Sequence, residues 1–121
     1  MSRILLIEDD DAVRMTLRLG LVNLGHKVVE AENGSGGLAL FKAQPVDLVV
    51  TDIVMPDGEG VETIRALRKI SVEVPIIAIS GDGEYLQDLE LFGATETLEK
   101  PFEIGLLQAA IVKSLGNGAG R

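Results

Sequence analysis

Val46-Asp47-Leu48-Val49-Val50-Thr51-Asp52 (VDLVVTD, residues 46–52) is, apart from Asp47, β-branched and apolar until a second carboxylate closes it, and Met55-Pro56-Asp57-Gly58 follows as a rigid turn. The pattern reads as a buried strand that delivers Asp52 to a loop rich in proline and glycine. Outward in both directions the same unit repeats. Upstream, Arg3–Ile7 (RILLI) is an apolar run. A helix then starts at Asp10 or Asp11, carries Val13, Leu17, Leu21 and Leu24 at helical spacing, and stops at Gly25. Lys27–Glu32 (KVVEAE) reads as a second strand, Asn33-Gly34 as a turn, and the residues around Leu38 and Phe41 as a helix ending before Pro45. Downstream, Val61, Ile64 and Leu67 mark a third helix and Pro75–Ser80 (PIIAIS) a fourth strand. A loop at 81–83, a short helix over 84–92, a brief strand near 95–99 and a last helix through Leu115 complete the chain.

Strands alternating with helices at this spacing predict an α/β fold: a parallel, doubly wound sheet with helices on both faces. In such sheets ligands bind beyond the carboxyl ends of the strands. Glu8, Asp9, Asp52, Ser80 and Lys100 are all expected at those ends.

Three carboxylates crowded at one edge push each other toward the protonated form unless positive charge joins them. A divalent cation and a lysine resolve that conflict. Carboxylate oxygens completed by water suit Mg²⁺, commonly together with a phosphate. The plainer account makes residues 8–11 a solvated acidic start to a helix, favoured by its dipole. Asp52 tips the balance toward a site, because a carboxylate fixed beside Mg²⁺ can attack a phosphoryl group and form an aspartyl phosphate.

At 121 residues there is room for one domain, and no apolar run approaches the roughly 18 residues that span a bilayer. The N-terminus enters a strand-like segment without a secretory h-region, and there are no cysteines, so a cytoplasmic protein is expected with no membrane partner. Eleven basic against nineteen acidic residues give a net charge of -8, which repels phosphate backbones and argues against direct nucleic-acid binding. Aromatic residues are only Phe41, Tyr85, Phe92 and Phe102, too few for a base-stacking platform.

Glu8-Asp9, Thr51–Gly58, Ser80-Gly81 and Lys100-Pro101-Phe102, taken in order, resemble the receiver domain of two-component response regulators over essentially the whole chain. The resemblance implies a (βα)5 flavodoxin-like sandwich of strand order 2-1-3-4-5, a receiver domain over 1–116 and a flexible tail or linker start over 117–121. It implies Asp52 as phosphoacceptor, with Asp9, Asp52, Glu8 and the Val54 backbone carbonyl around Mg²⁺, Lys100 as phosphate counter-ion and Ser80 as switch hydroxyl. A histidine kinase or histidine phosphotransfer protein would donate the phosphoryl group and a downstream protein would read the result. The domain would be no enzyme in the ordinary sense, although it assists its own phosphorylation and dephosphorylation.

Two departures from the family pattern bear on readout. Thr97 stands three residues before Lys100, where members often carry Tyr or Phe, and the stretch between Ser80 and Gly93 is about two residues short. A modified signalling surface is expected. Val54, two residues past the phosphoacceptor, cannot orient a water, so slow phosphate loss is expected, and Val54→Asn should speed it; Asp82 is the companion tuning position. A homodimer through the first helix, where Met15, Leu19 and Val22 form a second apolar face, or through the short helix, last strand and last helix, is a further expectation. Leu106, Ala109 and Val112 make a similar face on the last helix.

Other motifs weigh less. Gly34-Ser35-Gly36-Gly37-Leu38-Ala39 matches a dinucleotide fingerprint but sits at the second strand-to-helix turn instead of the first. His26 is the sole histidine and reads as an exposed loop residue. A haloacid-dehalogenase-like phosphatase would need a second Asp where Val54 stands, and a degenerate receiver that only docks would not need Asp9, Asp52 and Lys100.

Overall fold

The computed structural model describes residues 2–53, 59–81 and 93–119. In chain order they form β1 (Arg3–Ile7), α1 (Asp11–Asn23), β2 (Lys27–Ala31), α2 (Gly34–Ala43), β3 (Leu48–Asp52), α3 (Glu59–Ile70), β4 (Ile76–Ser80), β5 (Glu96–Glu99) and α4 (Ile104–Ala119). The helix expected over 84–92 lies outside the described residues.

All strand pairs are parallel and the sheet order is β2-β1-β3-β4-β5. Side chains alternate between faces along a strand, so each central strand feeds two cores. Leu5, Ile7, Val49, Ile76 and Ala78 pack with Ile64 and Leu67 of α3, while Ile4, Leu6, Val50, Ile77 and Ile79 pack with Leu17 and Leu21 of α1 and Leu107 and Ile111 of α4. Each fully buried Leu or Ile contributes about 1.5 to 3 kcal/mol relative to exposure. The central strands are therefore hard to displace.

Local chemistry sets the boundaries. Asp10 caps α1, its Oδ1 accepting from the N–H groups of Ala12 and Val13 at 2.9 and 3.0 Å. At the other end Gly25 takes φ +98°, which favours glycine, and its N–H bonds to the Val22 carbonyl at 2.9 Å. Leu24 thus falls past the helix and is exposed, unlike Leu17 and Leu21. β3 starts at Leu48 instead of Val46, since Asp47 is engaged at the sheet's lower edge: its carboxylate accepts from the Arg3 N–H at 2.8 Å. β2 closes at Ala31, before Glu32, because Asn33 begins the cap of α2, with Oδ1 accepting from the Gly36 N–H at 2.7 Å. Gly34–Ala39 accordingly forms the first turns of α2.

His26 is half-buried, not exposed, because the α1–β2 connection folds under α4 and brings its Nε2 to 2.9 Å from Gln108 Oε1. Met15, Leu19, Val22, Leu106 and Val112 are exposed. No helix among the described residues is long and apolar enough to cross a membrane.

Candidate functional site

The carboxyl ends of β1, β3, β4 and β5 bring the charged residues together. Glu8 follows β1 and its N–H bonds to the Ala31 carbonyl of β2 at 3.0 Å, so the turn leaves the sheet from a fixed point. Asp52 is the last residue of β3, paired in register with Ile79 of β4. Ser80 ends β4 and accepts through its carbonyl from the Lys100 N–H at 2.7 Å, which carries the lysine across from the β5 edge. The Lys100–Pro101 peptide bond is cis.

Carboxylate oxygens of Glu8, Asp9 and Asp52 lie within 4.8 Å of one another. Glu8 is fully buried and Asp52 is 4% exposed, whereas Asp9 is half-buried at the mouth. Lys100 Nζ bridges two of them, 2.9 Å from Glu8 Oε1 and 3.0 Å from Asp52 Oδ2. The second Glu8 oxygen accepts from the Asp10 N–H at 3.1 Å.

Burial pushes the Glu8 carboxyl up to about 7, against the hydrogen bonds from Lys100 and the Asp10 N–H and with the nearby Asp52 charge. For Lys100, burial pulls downward, but hydrogen bonds to Glu8 and Asp52 outweigh it and the net direction is up. Lys100 is therefore held charged against carboxylates that one lysine does not fully neutralise. Three hard oxygen donors with a surplus of negative charge make a set that can hold a small divalent cation.

Ser80 is fully buried and lies on the same sheet face as Ala78, which pairs in register with Thr97 of β5. Gly60 in the first turn of α3 presses on the backbone of Ile53, where any Cβ would overlap it. This close approach packs α3 directly against the residue after Asp52. Val54 and Asp82 lie outside the described residues.

Two contacts add detail to the expected pairing of a lysine with the crowded acids. Glu8 and Lys100 are direct partners, and the Arg14 guanidinium reaches back to donate to the Glu8 carbonyl at 2.8 Å. An arginine one turn into a capped helix was the only available signal for the second.

A buried carboxylate at the centre of a doubly wound sheet, flanked by two acids and a lysine, fits the phosphoacceptor site of a signalling domain. The family model described as the response regulator receiver domain matches residues 4–112, and the chain belongs to that family. It is 40% identical over 113 residues to the KDP operon transcriptional regulatory protein KdpE of Escherichia coli K12, covering 92% of this chain and 50% of that protein. It is 34% identical to the chemotaxis protein CheY of Bacillus subtilis, covering 93% of this chain and 97% of that one. Among solved structures, the response regulator protein TrrA of Thermotoga maritima in complex with Mg²⁺-BeF superposes with a TM-score of 0.88 at 33% identity, covering 95% of this chain and all of that one. The chain spans about half the length of KdpE and of two further transcriptional regulators it matches, AfsQ1 of Streptomyces coelicolor and CtrA of Caulobacter vibrioides, 50 to 53%.

Proposed function

We propose that the domain accepts a phosphoryl group on Asp52 from a phosphohistidine of a sensor kinase or phosphotransfer protein. The observation that carries this reading is Asp52 itself: almost wholly buried at a strand end, 3.0 Å from Lys100 Nζ and grouped with Glu8 and Asp9. An Asp52 oxygen attacks phosphorus, the phosphorus–nitrogen bond breaks, and the imidazole leaves with the electron pair.

Asp9 and Asp52 would hold Mg²⁺ directly with the Val54 carbonyl, and Glu8, both of whose oxygens already accept hydrogen bonds, would act through water. When bound, the ion would neutralise charge on the phosphoryl oxygens. Lys100 would pair with a phosphoryl oxygen in place of a carboxylate, and the Ser80 hydroxyl would report the product. These steps assist the domain's own phosphorylation and do not amount to turnover of an external substrate.

The boundary proposed at Gly116 falls inside the last turn of α4, which continues to Ala119, so any tail or linker over 117–121 would begin as helix. Output would pass to a downstream protein through the β4–β5 side of the sheet, where Thr97 alters the usual surface. Whether a DNA-binding segment follows in the full gene product decides the final target, since several relatives are transcriptional regulators.

Incubation with Mg²⁺ and acetyl phosphate should yield a phosphate mass adduct that chelator prevents and Asp52→Asn abolishes. An adduct of equal yield in Asp52→Asn would overturn the assignment.

A further inference from the structure

We propose that Arg14 is a positioning residue for the metal-holding acids, acting through the Glu8–Asp9 peptide; the inference rests on the site reading above. The Glu8 N–H is anchored on the Ala31 carbonyl of β2 at 3.0 Å, and the Glu8 carbonyl receives Arg14 Nη1 at 2.8 Å. A peptide unit is planar, so fixing that carbonyl oxygen also fixes the plane that contains the Asp9 nitrogen. The positions of the Asp9 nitrogen and Cα are thereby set, so that only its own φ and side-chain torsions remain to aim the carboxylate.

The guanidinium is itself held. Its Nε lies 3.1 Å from Glu30 Oε1 and its Nη2 2.6 Å from Asp11 Oδ1, and the side chain is only 15% exposed. Arg18 Nε grips the other Glu30 oxygen at 3.0 Å. A planar fork with fixed donor directions can serve a backbone carbonyl and two carboxylates together, which a lysine ammonium on a flexible stem does far less well. Glu30 of the outer strand β2 is thus joined through Arg14 to the turn that presents Glu8 and Asp9.

Charge and geometry predict opposite signs here. If Arg14 mattered only as a positive charge near a cation site, removing it would tighten Mg²⁺ binding, and Arg14→Lys would change nothing. If it positions the acids, both Arg14→Gln and Arg14→Lys weaken binding, on the order of tenfold, as for other groups that orient metal ligands. Glu30→Gln, which loosens the anchor and leaves Arg14 in place, should weaken it about two- to threefold for the loss of a fraction of one polar contact.

The experiment is a calorimetric Mg²⁺ titration of the whole chain and these variants, with amide shifts of metal-free Asp9 and Asp10 as a second readout. Arg18→Gln removes the same charge from the same network without touching the Glu8 carbonyl, so it controls for charge. Weaker binding in both Arg14 variants and in Glu30→Gln, with displaced Asp9 shifts and near-unchanged affinity in Arg18→Gln, supports the inference. Wild-type binding matched or exceeded by Arg14→Gln overturns it and leaves the site reading intact. Absence of Mg²⁺ uptake by the wild type, with no difference from Asp9→Asn, overturns the site reading and this inference with it. If Arg14→Gln does not fold, Arg14→Lys decides, because it keeps the charge and loses the fork: unchanged affinity and unchanged Asp9 shifts there overturn the inference.

Discussion

The centre of the sheet and its β5 edge are built to different standards. Every residue of β3 and β4 is buried, and the acids at and beside their ends are locked by contacts of 2.9 to 3.1 Å. β5 has four residues, none fully buried, and pairs with β4 alone. Strands with fewer buried apolar contacts move at lower cost. On the proposed function, chemistry would sit on the rigid part and readout beside the compliant part, with Lys100 as the link: it follows the edge strand yet contacts acids that belong to β1 and β3.

Cutting that link tests the comparison most severely. Lys100→Met would leave Glu8 and Asp52 facing each other without their cation, and breaking a buried pair from one side costs about 3 to 5 kcal/mol. Because the lysine is 27% exposed, water recovers part of this and the lower end, about 3 kcal/mol, is expected. Urea unfolding of chelator-treated protein measures it, and added Mg²⁺ should restore more stability in the variant than in the wild type. A loss below about 0.5 kcal/mol, the scale of an ordinary surface change, would mean that centre and edge are not coupled through this residue.

Glu8 sharpens the same contrast through pH. Its carboxyl is raised to about 7 in the folded domain, so between its ordinary range near 4.5 and 7 the folded state holds a proton that the unfolded chain has released. Stability from Glu8 is fully present below about 4.5 and is lost as pH rises through 7, by up to about 3 kcal/mol in the metal-free domain. Glu8→Gln should remove that slope, leaving the metal-free variant more stable than wild type at pH 8. Parallel stability profiles for the two proteins between pH 4.5 and 8 would show that the central acids carry no such cost.

Much of this was legible from residue order, for reasons that differ by region. Buried parallel strands must be nearly continuous in apolar residues, so RILLI, VDLVVT and PIIAIS marked the centre, and their ends marked Glu8, Asp9, Asp52 and Ser80. What escaped was set by three-dimensional approach. Leu24 fits a helical stripe by spacing but lies beyond the turn made by Gly25. His26 reads as a loop residue until α4 is seen to pack over it and supply Gln108. Periodicity reports which face a residue occupies, not which partner arrives from another element, and the bonds of Lys100 to Glu8 and of Arg14 to the Glu8 carbonyl are of that second kind.

Thr97 offers the finest test, because it separates a compliant edge from one that is actually driven. It is half-buried, pairs with Ala78 and shares the sheet face of Ser80, so a change at the buried hydroxyl has a short route to it. Threonine has no ring to swing toward that hydroxyl. With Mg²⁺ and a phosphoryl mimic, wild-type amide shifts should concentrate at the ends of β1, β3 and β4 and fade along β5. Thr97→Tyr should alter stability by no more than about 0.5 kcal/mol, as for a partly exposed edge position, yet extend the shifts through β5 into the start of α4. If wild type already moves β5 and α4 as far as the tyrosine variant does, softness of the edge strand is sufficient for readout and the aromatic residue adds nothing to it.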